Sequence, residues 1–253
     1  MPTKIRIMPT LLFKDFGLVK GIGFDSWRRV GSAVQAIKVY NMRQVDELVF
    51  LDITATPDRR PPDFDTVDEL ADECFMPLTV GGGVRSVADV QRLLQVGADK
   101  VAINTAASEN PQLIQQAAQL FGSQCVVVSI DARRHEDGSY EVCTHSGTRA
   151  TGKTPVALAK EVEALGAGEI LLTPICRDGT MEGYDIELTR SVSEAVSIPV
   201  IASGGAGSYE DMAQVLSEGK VTAVAAASIF HFTQQTPMGA KHYLAGRGFK
   251  VRL

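Results

Sequence analysis

Short apolar runs recur along the chain at 6–12, 47–53, 77–80, 100–103, 126–130, 170–173, 200–202 and 223–227, with helical patterns between them. Each run is rich in β-branched or small residues and is bounded by turn residues. Strands covered by helices on one side and by a core on the other have no solvent face, so they show no polar alternation. Eight such runs therefore predict eight parallel strands in a βα alternation. An open doubly wound sheet and a closed (β/α)8 barrel both accommodate them.

An internal repeat favours closure. A shift of 122 residues, the distance from Gly82 to Gly204, lays Gly82-Gly83 and Gly97 on Gly204-Gly205 and Gly219. The same shift carries Ser86 and Asp89 onto Ser208 and Asp211, and Glu47 onto Glu169. Both Ser-x-x-Asp strings have the spacing with which a serine hydroxyl caps a helix start. Two similar halves of four strands close most simply into one α/β domain, a (β/α)8 TIM barrel spanning residues 1–253, a length typical of that fold. Three segments are too long or too polar to be simple connections: 14–31, 54–66 with Arg59-Arg60-Pro61-Pro62, and 133–152. Each follows a strand's carboxyl end, where barrel enzymes build their sites. Within the last, 139–145 alternates polar and apolar residues and predicts a small hairpin.

Composition narrows the function. With 45% hydrophobic and 22% charged residues and a net charge of −5, the chain has the profile of a soluble enzyme. Its densest basic runs, Arg28-Arg29, Arg59-Arg60 and Arg133-Arg134, are isolated pairs of the kind found on solvated loops, which argues against nucleic acid. The cysteines Cys74, Cys125, Cys143 and Cys176 form no zinc-spaced cluster, and no metal or cofactor is expected. Cys125, opening an apolar run, is expected in the core. No signal peptide or membrane-length apolar stretch is present, so a cytoplasmic location is expected.

Glycines dominate the candidate chemistry. Gly81-Gly82-Gly83 follows the third strand and Gly204-Gly205 the seventh. Without side chains, their amides can approach an anion closely. Asn104 and Thr105 after the fourth strand, and Ser228 after the eighth, are candidate side-chain donors to the same anions. One phosphate site per half is the expectation, although turns also use glycine.

Several strings then identify a family resemblance: F-L-D-I-T at 50–54, T-V-G-G-G-V at 79–84, A-D-K-V-A-I-N-T-A-A at 98–107, F-G-S-Q at 121–124, V-V-V-S-I-D at 126–131, G-A-G-E-I-L-L-T at 166–173, R-D-G-T at 177–180 and I-A-S-G-G-A-G at 201–207. Together they resemble the cyclase subunit of imidazole glycerol phosphate synthase over essentially the whole chain. The related phosphoribosyl isomerase of histidine biosynthesis usually has glycine where Asn104 stands. The resemblance implies a phosphorylated small-molecule substrate and a glutaminase subunit docked on the amino-terminal face of the barrel, sending ammonia through it. It implies an ammonia gate at Arg6, Glu47, Lys100 and Glu169, and a glutaminase interface position at Asp99. Charged residues at strand starts also occur as purely structural ion pairs.

On the opposite face the family uses an aspartate on strand one and another on strand five as base and acid. Asp131 matches the second. A carboxyl there, with no cationic neighbour in sequence, is expected to have a raised pKa and to act as an acid. The first is absent: where the family reads P-C-L-D-V-K-D-G, this chain reads Pro9-Thr10-Leu11-Leu12-Phe13-Lys14-Asp15-Phe16. Cys176 also replaces a usual aspartate, while Asp178 is retained as a catalytic candidate.

Leu12 separates three readings. An authentic cyclase would convert the phosphoribulosyl amidine intermediate and ammonia into imidazole glycerol phosphate and the aminoimidazole carboxamide nucleotide; it would need Lys20 or Asp178 to replace the base. The segments 11–14, 17–20 and 73–77 look like cyclase-like proteins associated with acetamidino groups on surface-polysaccharide sugars, in which an ATP-using amidotransferase is a further partner. A non-catalytic barrel that scaffolds a glutaminase would explain the lost base but not the retained carboxylates and glycine loops. The acetamidino reading is the expectation, because its chemistry needs no base at strand one.

Overall fold

The computed structural model describes residues 4–15 and 17–253; Phe16 lies outside them. Strand β1 (Arg6–Lys14) continues into an antiparallel hairpin of β2 (Gly17–Ile22) and β3 (Asp25–Gly31), followed by α1 (Ala33–Met42). Simple βα units follow: β4 (Leu48–Asp52) with α2 (Phe64–Glu73), β5 (Leu78–Gly81) with α3 (Val87–Gln95), and β6 (Lys100–Ile103) with α4 (Thr105–Glu109) and α5 (Gln112–Phe121). The second half repeats the plan. Strand β7 (Val126–Arg134) bends into β8 (Tyr140–Thr144) and β9 (Arg149–Ala150) before α6 (Pro155–Ala164). Then come β10 (Glu169–Pro174) with α7 (Ile186–Ser193), β11 (Val200–Ala202) with α8 (Tyr209–Glu218), and β12 (Ala223–Ala226) with α9 (Ser228–Phe232) and α10 (Pro237–Gly246).

The parallel strands pair in the order β1, β4, β5, β6, β7, β10, β11, β12, and β12 pairs with β1. This closes the eight-stranded barrel and excludes the open sheet. The eight expected runs are its strands, but β1 ends at Lys14 rather than at 12, and β7 at Arg134 rather than at 130. Both extensions arise because a hairpin partner continues to bond the strand beyond the barrel rim. Thus the segments 14–31 and 133–152 are strand additions, one per half, rather than irregular loops.

Strand periodicity sorts the side chains into two sets. Outward residues such as Ile7, Leu11, Phe50, Val80, Ile130 and Leu172 pack under the helices. Inward residues Met8, Val49, Ala102, Val127, Leu171, Ile201, Ala223 and Ala225 form a separate apolar layer on the barrel axis. Helices α3 and α8 begin with the capping boxes of the repeat: Ser86 accepts from the Asp89 amide and Ser208 from the Asp211 amide, and each aspartate side chain returns the bond. Cys125 corrects an expectation. It is half-buried in the short 3-10 turn Ser123–Cys125 that follows α5, its thiol donating to the Phe121 carbonyl, because the barrel core begins one residue later at Val126.

Helix α10 seals the base through a buried ion pair. Lys241 Nζ lies 2.9 Å from Asp46 and donates to the Gln44 carbonyl, while Asp46 accepts from the Ile7 amide at the start of β1. Removing one partner of such a pair leaves a buried charge uncompensated, at a cost of about 3–5 kcal/mol. Lys241→Met should lower unfolding stability by that order in urea titrations followed by far-ultraviolet circular dichroism. A loss under about 1 kcal/mol would show that Asp46 finds other compensation.

Candidate active site

A cavity of about 1110 Å³, counting its open mouth, lies at the carboxyl ends of the strands. Its floor follows from alternation along β1 and β7. On β1 the register pairs Thr10 with Val49 and Leu12 with Leu51; on β7 it pairs Ser129 with Leu171 and Asp131 with Thr173. The repeat carries Val49 onto Leu171 and Leu51 onto Thr173. Thr10 and Ser129 are therefore equivalent positions in the two halves, and so are Leu12 and Asp131. All four line the cavity.

Asp131 is reached only from the cavity. Asn104 donates to it at 3.0 Å, but burial and the negative charge of Asp178 outweigh that bond and push its pKa up to about 7. Lys20, a cation lining the same cavity, is already engaged: buried on β2, it lies 2.5 Å from Asp178. The backbone strengthens this clasp, since the Gly23 amide donates to the Asp178 carbonyl at 2.8 Å. The hairpin is thereby held over the mouth, where Phe24 and Trp27 join the cavity wall.

The glycine loops also meet here. Gly82, Thr105, Gly204, Gly205 and Ser228 line the cavity from opposite sides. At Gly82 (φ 110°) and Gly205 (φ 103°) a Cβ would lie 2.2 Å and 2.1 Å from the carbonyl oxygens of Asp52 and Gly183. No other residue fits that close approach of backbones. The Ser228 hydroxyl is buried and without a protein partner. Two expectations need correction. Both Asn104 amide hydrogens are committed, one to Asp131 and one to the Ser129 carbonyl, so its side chain positions the acid instead of donating to an anion. Gly83 is not part of the cavity wall, because it packs against Ala55, Arg60 and Pro61.

At the other end of the barrel, Arg6, Glu47, Lys100 and Glu169 form a closed ring. Arg6 bonds Glu47 at 2.9 Å and also Glu169; Lys100 bonds Glu47 at 2.8 Å and Glu169 at 3.0 Å. Burial disfavours each charge, yet the partners win, so the Arg6 pKa is raised and that of Glu47 lowered. Asp99 is exposed on the same face and accepts from the Leu78 amide at 2.8 Å. Between ring and cavity lies the apolar layer.

A family model described as histidine biosynthesis protein matches residues 6–236, from the first residue of β1 to the cap of α10. The chain belongs to this family. The histidine biosynthesis family consists of barrel enzymes, isomerases and cyclases, and its match covers every strand of the barrel described above. Among the described residues no cluster of three or more His, Cys, Asp or Glu could hold a metal ion, and no helix is long and apolar enough to cross a membrane.

Sequence reasoning missed Thr10, Ser129, Phe24, Trp27 and Thr173 as cavity residues. Alternation along β1 from Arg6 would have placed Met8, Thr10 and Leu12 on the axis. The tip of a hairpin after strand one carried no comparable signal.

The buried acid gives a pH test. Unfolded, Asp131 ionises near 3.8; folded, it keeps its proton to about 7. Between those values only the unfolded chain releases the proton, so stability falls as pH rises through the window and levels off above it. Asp131→Asn removes that dependence. Its stability relative to the natural chain should rise by roughly 2–4 kcal/mol between pH 4 and pH 8 in urea titrations. A difference independent of pH would mean that Asp131 ionises normally.

Proposed function

We propose that this enzyme is the ammonia-accepting synthase subunit of a glutamine amidotransferase complex, and that the ammonia serves to form an acetamidino group on a nucleotide-linked sugar. A glutaminase would dock on the face that carries Asp99 and the Arg6–Glu47–Lys100–Glu169 ring. The ring has no net charge and its members are linked only by side-chain bonds, so rotation of Lys100 or Arg6 opens a path without breaking the backbone. Beyond it the apolar layer admits neutral ammonia and disfavours ammonium, whose desolvation is far more costly.

Leu12 is the observation that carries the choice of acceptor chemistry. It fills the place equivalent to Asp131 with a group that cannot take a proton. Cyclisation needs proton removal as well as delivery. Amidine formation is less demanding: an ATP-using partner activates the acetamido oxygen, ammonia adds to that carbon, and the activated oxygen departs. Asp131, which keeps its proton up to about pH 7, can protonate the departing oxygen while the product leaves as the amidinium, and the two glycine loops can hold phosphate groups of the substrate.

A second reading, a working cyclase of histidine biosynthesis, draws support from Lys20 and Asp178, which stand as a clasped pair over the same cavity as Asp131. A non-catalytic scaffold for the glutaminase leaves that cavity unexplained.

The test supplies the purified protein with ammonium salt and the phosphoribulosyl amidine intermediate. The acetamidino reading expects turnover about 10²–10⁴-fold below that of an enzyme with both carboxylates. Leu12→Asp should raise it by a comparable factor. Ordinary cyclase rates in the natural chain would overturn that reading and assign the base to Lys20 or Asp178. For the gate, Glu169→Gln should reduce use of glutamine-derived ammonia by a partner glutaminase while leaving use of added ammonium salt within about twofold, because it acts on entry and not on chemistry. Equal losses with both nitrogen sources would remove the ring from the ammonia path.

A further inference from the structure

The hydroxyls of Thr10 and Ser129 are buried and have no protein partner. Native interiors rarely leave such groups unsatisfied, so each calls for a ligand or a water. Their placement is specific. They occupy equivalent positions in the two half-barrels, on strands four places apart in a ring of eight, and thus face each other across the axis. Directly below lies the apolar layer of Met8, Val49, Ala102, Val127, Leu171, Ile201, Ala223 and Ala225, in which Thr79, in register with Val49 and Lys100 on the same inward face, is the one hydroxyl-bearing neighbour that the register places. Directly above stand Leu12 and Asp131. Thr79 does not line the cavity, so the hydroxyls of Thr10 and Ser129 are the unpartnered pair where the layer meets the cavity.

We infer that Thr10 and Ser129 form a binding site for a small neutral molecule with both N–H donors and a lone pair, ammonia in the working enzyme. A hydroxyl suits this ligand because it can donate its proton to the nitrogen lone pair or accept an N–H. Neither group carries charge, so the site does not favour ammonium, and the apolar layer beneath excludes it. Binding here holds ammonia on the cavity floor within the space shared with Asp131. Water has the same hydrogen-bonding capacity and is the competing occupant. The inference rests on the ammonia-accepting function proposed above, but it concerns the barrel alone and is tested without glutaminase or substrate.

Met8 is fully buried in the apolar layer, two residues before Thr10 on the same strand face, and provides the reporter. Protein labelled with ¹³C-methyl methionine is titrated with ammonium chloride against sodium chloride at equal ionic strength, once well below and once above the pKa of ammonium. The expected result is a saturable shift of the Met8 methyl resonance with ammonium chloride at the higher pH alone. Ser129→Ala and Thr10→Val should each weaken the apparent affinity by roughly 3–10-fold, the loss of one hydrogen bond. Thr10→Ser, which keeps the hydroxyl, should bind as the natural chain does; it also shows that any loss in Thr10→Val is not a packing effect. Absence of a saturable shift at the higher pH overturns the inference. So does a shift that both hydroxyl deletions leave unchanged. A crystallographic density peak between the hydroxyls without an ammonia response would assign the site to an ordered water and overturn it as well. Failure of this site, with glutamine-dependent activity intact, would leave the proposed function standing.

Discussion

Closure of the barrel with a fixed strand register is the constraint from which the rest follows. A strand turns every second residue inward, and eight strands bonded edge to edge leave no freedom to change which residues those are. Strand β1 alone therefore delivers Arg6, Met8, Thr10 and Leu12 at successive heights along the axis. The ring at the base needs residues separated by up to 163 positions in sequence, contributed near the starts of four strands. Without the β12–β1 pairing they would not meet. The axis becomes a stack: charge, hydrocarbon, hydroxyl, then acid facing leucine.

Charge is distributed along this stack in cancelling sets. Two cations and two anions neutralise one another at the base, and Lys20 satisfies Asp178 at the mouth. Asp131 is the exception. It has an amide neighbour, a negative charge nearby and no cation bonded to it, which is why its proton is held to about neutrality. Leu12 leaves that acid without the partner its symmetry-related place would supply. The site is polar on the β7 side and apolar on the β1 side, so the two half-barrels have kept one geometry while their chemistry has separated.

Much of this was legible in the sequence because it depends on local pattern. Eight short apolar runs and a repeat at 122 residues specify the barrel, and Ser86-x-x-Asp89 and Ser208-x-x-Asp211 specify two helix starts that the structure realises as capping boxes. Strand ends were less legible: a strand that bonds a hairpin beyond the rim continues past the apolar residues that mark it, as at Phe13 and Lys14. Side-chain allegiance was least legible. Asn104 follows a strand at a place suited to an anion donor, but the direction of its amide depends on Asp131, 27 residues away. The orphan hydroxyls of Thr10 and Ser129 are equally hidden, since serine and threonine in a strand ordinarily find a neighbour.

Trp27 is the chain's one tryptophan, and it lies on the hairpin held over the mouth rather than in the barrel wall. The base of the hairpin is fixed to the barrel by the β1–β2 ladder and by the buried Leu18 and Val19, whereas β3, which carries Trp27, pairs with β2 alone. Tryptophan emission is therefore a local gauge. A change in its colour or intensity on adding a ligand reports shielding or release of the hairpin, while on warming the same signal also includes the loss of the β1–β2 ladder with the strands. An optical signal that measures global unfolding in many proteins also reads, here, the lid.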